Sequence, residues 1–242
     1  MPSILTLEQI SKRFGAVVVA DNIDLTLLRG EALGIIGPNG AGKTTLFGII
    51  TGAVPPDSGR IVFEGHDITR MKPEHRCRMG LARSFQIPQP FGGMTVFENL
   101  VVAAAFGGNH AESEVYEDCA GLLRRCGLAD KANRSAGSLT LLDRKRLELA
   151  RALATGPRVL LLDEVAGGLV ERETAALVDL INQVRATGVS IIWIEHIVHA
   201  LFAVVDRLVV LHGGALIAEG DPEEVIQRPQ VNEIYMGIEA DA

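Results

Sequence analysis

Two kinds of apolar pattern run along this chain, and each predicts a different kind of strand. Ile23, Leu25 and Leu27 alternate with Asp24 and Thr26, the two-residue period of a strand with one buried face. Ile61-Val62-Phe63, after the turn-forming Pro55-Pro56-Asp57-Ser58-Gly59, reads similarly. Residues 32–36 are instead a short apolar run, and 159–162 and 189–194 are short runs rich in Leu or β-branched residues, as expected of parallel strands covered on both faces. Between the last two, Leu177, Val178, Leu180, Ile181 and Val184 recur at helical spacing until Gly188 stops the helix. The predicted unit is strand, helix, strand in a parallel sheet. From about residue 94 to 156 the period turns helical, with Val115, Cys119, Leu122, Leu123 and Cys126 on one face, which predicts an inserted helical lobe. Asp221-Pro222-Glu223-Glu224 has the cap, proline and acidic first turn of a helix start.

Composition narrows the partners. The 242 residues carry 30 acidic and 23 basic side chains, a net charge of −7, opposite in sign to the footprint of a general nucleic-acid binder. Cys77, Cys119 and Cys126 match no zinc or redox spacing, which fits a reducing compartment. Met1-Pro2-Ser3-Ile4 lacks a basic-then-apolar leader pattern, and every apolar run falls short of the ~18 residues of a membrane span. The chain is expected not to cross a membrane itself.

The chemistry begins at Gly37-Pro38-Asn39-Gly40-Ala41-Gly42-Lys43-Thr44, followed by Thr45. This is the P-loop pattern, set between a strand and a helix over residues 44–50 as its mechanism requires. Backbone amides at a helix N-terminus point at phosphates, and glycines let the chain wrap them closely. Lys43 is placed to neutralise β/γ oxygens and Thr44 to ligate Mg²⁺; the expected ligand is ATP with Mg²⁺. Downstream, Val159-Leu160-Leu161-Leu162-Asp163-Glu164 puts a carboxylate at the C-terminal end of a buried strand, beside the crevice where open α/β sheets bind ligands. Asp163 suits the Mg²⁺ shell and Glu164 suits polarising the attacking water.

With these motifs the chain resembles ATP-binding-cassette (ABC) subunits over nearly its whole length. The resemblance implies an α/β P-loop NTPase fold: a RecA-like, mostly parallel sheet with an antiparallel β subdomain, plus an inserted α-helical subdomain. It implies a single cassette over 1–242, with 1–85 and 157–225 as the nucleotide-binding lobe, 86–156 as the helical lobe and 226–242 as a short extension. Phe14, in Lys12-Arg13-Phe14-Gly15, resembles the ring that stacks on adenine, and fits core packing equally well. Gln86, in Arg83-Ser84-Phe85-Gln86, resembles the Q-loop glutamine that senses Mg²⁺ and the γ-phosphate. His196, after Ile191-Ile192-Trp193-Ile194-Glu195, resembles the switch histidine at the γ-phosphate. A zinc reading of His196 and His199 fails on spacing.

The pattern departs from the family in two places. Where members carry Ser-Gly-Gly-Gln before a helix, this chain has Leu139-Thr140-Leu141-Leu142-Asp143. Only Thr140 keeps a hydroxyl for ATP held by an opposite subunit, and the leucines remove glycine's freedom for close approach. Asp143 is expected to form a capping box with Thr140 and to bring negative charge near an incoming phosphate, a repulsion of roughly 3 kcal/mol at ~6 Å and an effective dielectric of ~20. Val170 also replaces the expected aspartate after Gly168-Leu169.

The resemblance further implies a motor subunit on the cytoplasmic face of the inner or plasma membrane. It would be peripheral, paired with a second like or unlike cassette, attached to permease subunits and served by a substrate-binding protein. The 87–95 loop, Ile87-Pro88-Gln89-Pro90-Phe91-Gly92-Gly93-Met94-Thr95, is expected to receive a membrane subunit. The motif set and the ending at Ile234-Tyr235-Met236-Gly237 are most similar to importers of branched-chain and other hydrophobic amino acids. Urea, amide or lipopolysaccharide transport, and an ATP-gated binding module with little turnover, stand as alternatives. Soluble cassettes of translation or DNA repair usually carry tandem cassettes or coiled-coil insertions, neither of which this sequence shows.

Overall fold

The computed structural model describes residues 2–108 and 110–240. Met1, at the expected start, and residues 241–242 of the expected extension lie outside the described residues. Two sheets share the molecule. β1 (Ser3–Phe14) and β2 (Val17–Leu28) form an antiparallel hairpin; after β3 (Ala32–Ile36) and α1 (Lys43–Thr51), β4 (Ser58–Phe63) and β5 (His66–Asp67) extend the hairpin to a sheet of order β2-β1-β4-β5. The alternation read at Ile23, Leu25 and Leu27 is the inward face of β2.

The second sheet runs β10-β9-β3-β8-β7-β6. After α2 (Pro73–Arg78), its strands are β6 (Leu81–Arg83), β7 (Val159–Asp163), β8 (Ser190–Ile194), β9 (Arg207–His212) and β10 (Ala215–Gly220). All pairs are parallel except β9 with β10. Every residue of β3, β7 and β8 is buried, which is why these strands read as nearly continuous apolar runs. The strand period divides each between two cores: Leu33, Ile35, Leu161, Ile192 and Ile194 face α1 and the antiparallel sheet, while Ile36, Leu160, Leu162, Ile191 and Trp193 face the helices on the other side.

Those helices include α3 (Val96–Val102), which continues as a π turn over Ala103–Gly107, then α4 (Tyr116–Arg125), α5 (Leu141–Ala154) and α6 (Glu171–Arg185). The chain closes with α7 (Val198–Phe202), α8 (Pro222–Ile226) and α9 (Pro229–Ala240). The five positions from Val115 to Cys126 expected on one helical face are all buried, and α6 joins β7 to β8 as the predicted strand-helix-strand unit. Asp221 caps α8 by accepting from the amides of Glu223 and Glu224. No helix among the described residues is long and apolar enough to cross a membrane.

The position of α1 matters most for the site. Its C-terminal carbonyls are held by the buried Arg76, whose Nη1 donates to Ile49 O at 2.8 Å and Ile50 O at 2.7 Å. The same guanidinium reaches Met71 O and Thr69 O, both at 2.9 Å. Burial pushes the Arg76 pKa down to about 10, yet a cation at this end of a helix complements its dipole. Arg76 thus fixes one end of the helix whose other end opens on the cleft described next.

Candidate active site

Between β3 and α1 the chain turns through residues 37–42. Gly42 stands at the N-cap of α1 with φ 103° and gives it no side-chain cap. A Cβ there would also collide with the carbonyl oxygen of Val19, so only glycine fits. The uncapped amides at the start of α1 face a cleft of about 430 Å³ lined by Val19, Asn39, Gly40, Ala41, Gly42, Lys43, Thr44, Thr45, Gln86 and Glu164. Lys43 is buried and folds back over the loop, its Nζ donating to Gly37 O at 2.7 Å and Pro38 O at 3.0 Å. Burial holds its ammonium below the ordinary lysine value, opposed by the nearby charges of Glu164 and Asp163.

The opposite wall comes from the end of β7. Asp163 is buried and its Oδ2 accepts from Arg83 Nη2 at 2.5 Å. That guanidinium lies 5.5 Å from the ring centre of Phe47 on α1 and 5.1 Å from that of Phe85, next to Gln86. Glu164 has left-handed backbone, φ 45°, a conformation costing on the order of 1–3 kcal/mol for a non-glycine residue. Its amide donates to Ile194 O at 2.8 Å, which holds the turn against β8 and aims the carboxylate into the cleft. There Glu164 Oε2 accepts from Gln86 Nε2.

Glu195 and His196 follow β8. The fully buried Glu195 accepts from Ala166 N at 3.0 Å through Oε2 and from His196 N at 3.0 Å through Oε1, and His196 Nδ1 stands 3.2 Å from the same Oε1. From α5, the buried Lys145 brings Nζ to 3.5 Å from Glu164 O. Burial lowers the Lys145 pKa, countered by Glu195 and Glu164.

Six expected residues stand outside the cleft lining: Gly37 and Pro38, whose carbonyls take the Lys43 ammonium, Asp163, which is held by Arg83, and Phe14, His196 and Thr140. Phe14 ends β1, half exposed, with Lys12 Nζ 5.3 Å from its ring centre, and Val19 occupies the wall instead. His196 stands beside Glu195. Thr140 caps α5, donating from Oγ1 to Asp143 Oδ2 at 2.9 Å while its oxygen accepts from Asp143 N at 3.3 Å. The repulsion expected from Asp143 needs correcting, because the carboxylate is buried and Lys131 Nζ lies 2.9 Å away, with Arg146 at 4.0 Å; these cations offset most of its charge. Arg83, Lys145 and Glu195 were missed by the sequence reading: each sits beside or within a quoted motif, but what it meets in space, Asp163 for Arg83, Glu164 for Lys145 and Ala166 for Glu195, belongs to another element.

A glycine-wrapped helix N-terminus, a lysine folded over it and a carboxylate facing both define a P-loop nucleoside-triphosphate-binding protein. The sequence model of the ABC transporter family matches residues 20–167, and the chain belongs to that family as an ATP-binding ATPase cassette. The high-affinity branched-chain amino acid transport ATP-binding protein LivG of Escherichia coli is 36% identical over 97% of this chain and 98% of its own. The corresponding BraF protein of Pseudomonas aeruginosa is also 36% identical over the same shares. A crystal structure of the ADP conformation of an ATP-binding cassette of an ABC transporter superposes with a TM-score of 0.90 at 34% identity, covering 98% of this chain and 100% of that one.

Proposed function

We propose that this cassette is the ATP-hydrolysing motor of a membrane transporter importing branched-chain or other hydrophobic amino acids. The observation that carries the motor reading is Lys43 and Glu164 facing one another across one cleft. The cargo reading is supported by the full-length similarity to LivG and BraF.

In this mechanism the amides at the start of α1 and the Lys43 ammonium bind the triphosphate. Thr44, Gln86 and Asp163 are the candidate Mg²⁺ ligands. Thr44 and Gln86 line the cleft, Gln86 donates its nitrogen to Glu164 and so keeps its oxygen for a cation, and a hydroxyl, an amide oxygen and a carboxylate are the donors a hard divalent ion takes. Bound there, Mg²⁺ supplies neutralisation of the charge on the β and γ phosphate oxygens. Glu164 accepts the proton of the attacking water once Gln86 releases it, and His196 contacts the γ-phosphate. Phe14 stacks on adenine only if the nucleotide extends to the tip of the β1–β2 hairpin.

We assign residues 1–85 and 157–225 to the nucleotide lobe, 86–156 to the helical lobe and 226–242 to an extension. The 87–95 loop presents exposed Ile87, Phe91 and Met94 and is braced from α5 by Arg151, which donates to Gln89 O at 3.0 Å and lies 5.1 Å from the Phe91 ring centre. This supports docking of a permease at the cytoplasmic membrane face, with a second cassette and a substrate-binding protein completing the complex.

The test is ATP-driven uptake by the complex co-purified with this chain and reconstituted in vesicles. Accumulation of leucine, isoleucine or valine is expected; uptake confined to urea, amides or lipopolysaccharide would reassign the cargo. A second reading, an ATP-gated module with little turnover, is favoured by the closed Thr140–Asp143 cap. ATP binding without steady-state hydrolysis in the intact complex would select it.

A further inference from the structure

We propose that Glu195 is a positioning residue of the nucleotide site. It holds His196 with Nδ1 protonated and turned inward, leaving Nε2 as the nitrogen offered to the terminal phosphate. The inference rests on the reading of His196 as the γ-phosphate contact. Glu195 has a fully buried side chain, whereas His196 is largely exposed.

Two backbone N–H groups, Ala166 N and His196 N, donate to its two oxygens, and His196 Nδ1 faces Oε1 at 3.2 Å. A carboxylate only accepts, so the ring nitrogen facing it must be the one that donates. The backbone bonds make the carboxylate a fixed reference. Ala166 belongs to the turn after Glu164, and His196 to the turn after β8. One side chain therefore ties the backbone carrying the candidate base to the ring expected at the phosphate.

Lys145 completes the arrangement. It lies buried on α5 beneath Glu164, near enough for its charge and that of Glu195 to act on one another. A phosphate oxygen also only accepts. To meet one, the ring in the loaded site donates from both nitrogens, Nε2 to the phosphate and Nδ1 to Glu195, with an anion on either side of it.

Glutamine cannot substitute. It offers one oxygen and an NH₂ where two backbone donors and the ring nitrogen converge, setting donor against donor.

The experiment uses the full chain labelled with ¹⁵N-histidine, nucleotide-free and at a pH above the ordinary histidine range. Long-range ¹H–¹⁵N spectra report the tautomer, and the His196 signals are those lost in His196→Asn. Wild type is expected to carry its proton on Nδ1. Glu195→Gln is expected to move it to Nε2 and to lower kcat of the intact complex by about 10–100-fold, the loss seen when carboxylates orienting metal-bound histidines are removed. ATP affinity should hold within about threefold and Glu195→Asp should recover part of kcat.

A wild-type ring protonated on Nε2 would overturn the proposal without any variant being folded. So would Glu195→Gln with an unmoved tautomer or unchanged kcat. Wild type that binds no ATP would instead sink the proposed function, leaving the tautomer to decide the role of Glu195.

Discussion

Glu164 is the residue on which turnover is staked. Held in left-handed backbone by Ile194 and facing Lys43 across the cleft, it is placed to take a proton from water. Glu164→Gln should slow steady-state hydrolysis by ~10²-fold or more while leaving nucleotide binding intact; turnover at the wild-type rate would move the base elsewhere. Lys43 gives a second prediction. Its pKa lies below the ordinary 10.5 because burial disfavours the charged form, and a bound triphosphate raises it again. ATP binding therefore takes up protons as pH approaches the unliganded value, and affinity is full below that value and falls as pH rises from it towards the liganded one. Titration calorimetry in buffers of different ionisation enthalpy, over the alkaline range up to 10.5, should show this uptake in wild type and not in Lys43→Met.

At the scale of elements, two helices carry the site and each depends on what sits at its ends. α1 starts at a glycine and stops on Arg76. Arg76→Ala strips partners from the buried carbonyls of Ile49 and Ile50, at a cost of about 3 kcal/mol or more. At ~2–4 °C per kcal/mol for a domain of this size, calorimetry should show Tm reduced by on the order of 10 °C. α5 starts at the Thr140–Asp143 cap, so Thr140→Ala should cost about 1 kcal/mol, read from the denaturant midpoint. The 87–95 loop braced on α5 is the proposed permease contact. Phe91→Asp should leave ATPase activity in the complex while abolishing uptake, and normal coupling in that variant would remove the loop from the docking surface.

For the whole molecule, a mostly parallel sheet covered on both faces explains how one chain carries the cleft at the C-terminal ends of β3 and β7 and leaves its helical side for other work. The strand runs at 32–36, 159–162 and 189–194 were legible because a strand buried on both faces must be apolar throughout. The hairpin strand β1 and the pair β9–β10 were not read from the pattern. β1 is broken by irregular register near Gln9, and β10 has several half-exposed positions, so neither shows a clean period. Gentle detergent extraction should bring hydrophobic permease subunits down with the chain; a cassette recovered alone from such extracts would count against the transport assignment.

The sequence by itself determined the P-loop, the strand that ends in Asp163 and Glu164, and the fold class. Those depend on local spacing: glycines where backbone must approach a ligand, and apolar runs of strand length. Only the tertiary structure decided which charges meet. Arg83 finds Asp163, Lys145 reaches beneath Glu164, Glu195 takes His196 and Ala166 together, and Lys131 quenches Asp143. Electrostatic partners are set by distance in space, and between residues as much as 80 positions apart no periodicity along the chain records that distance.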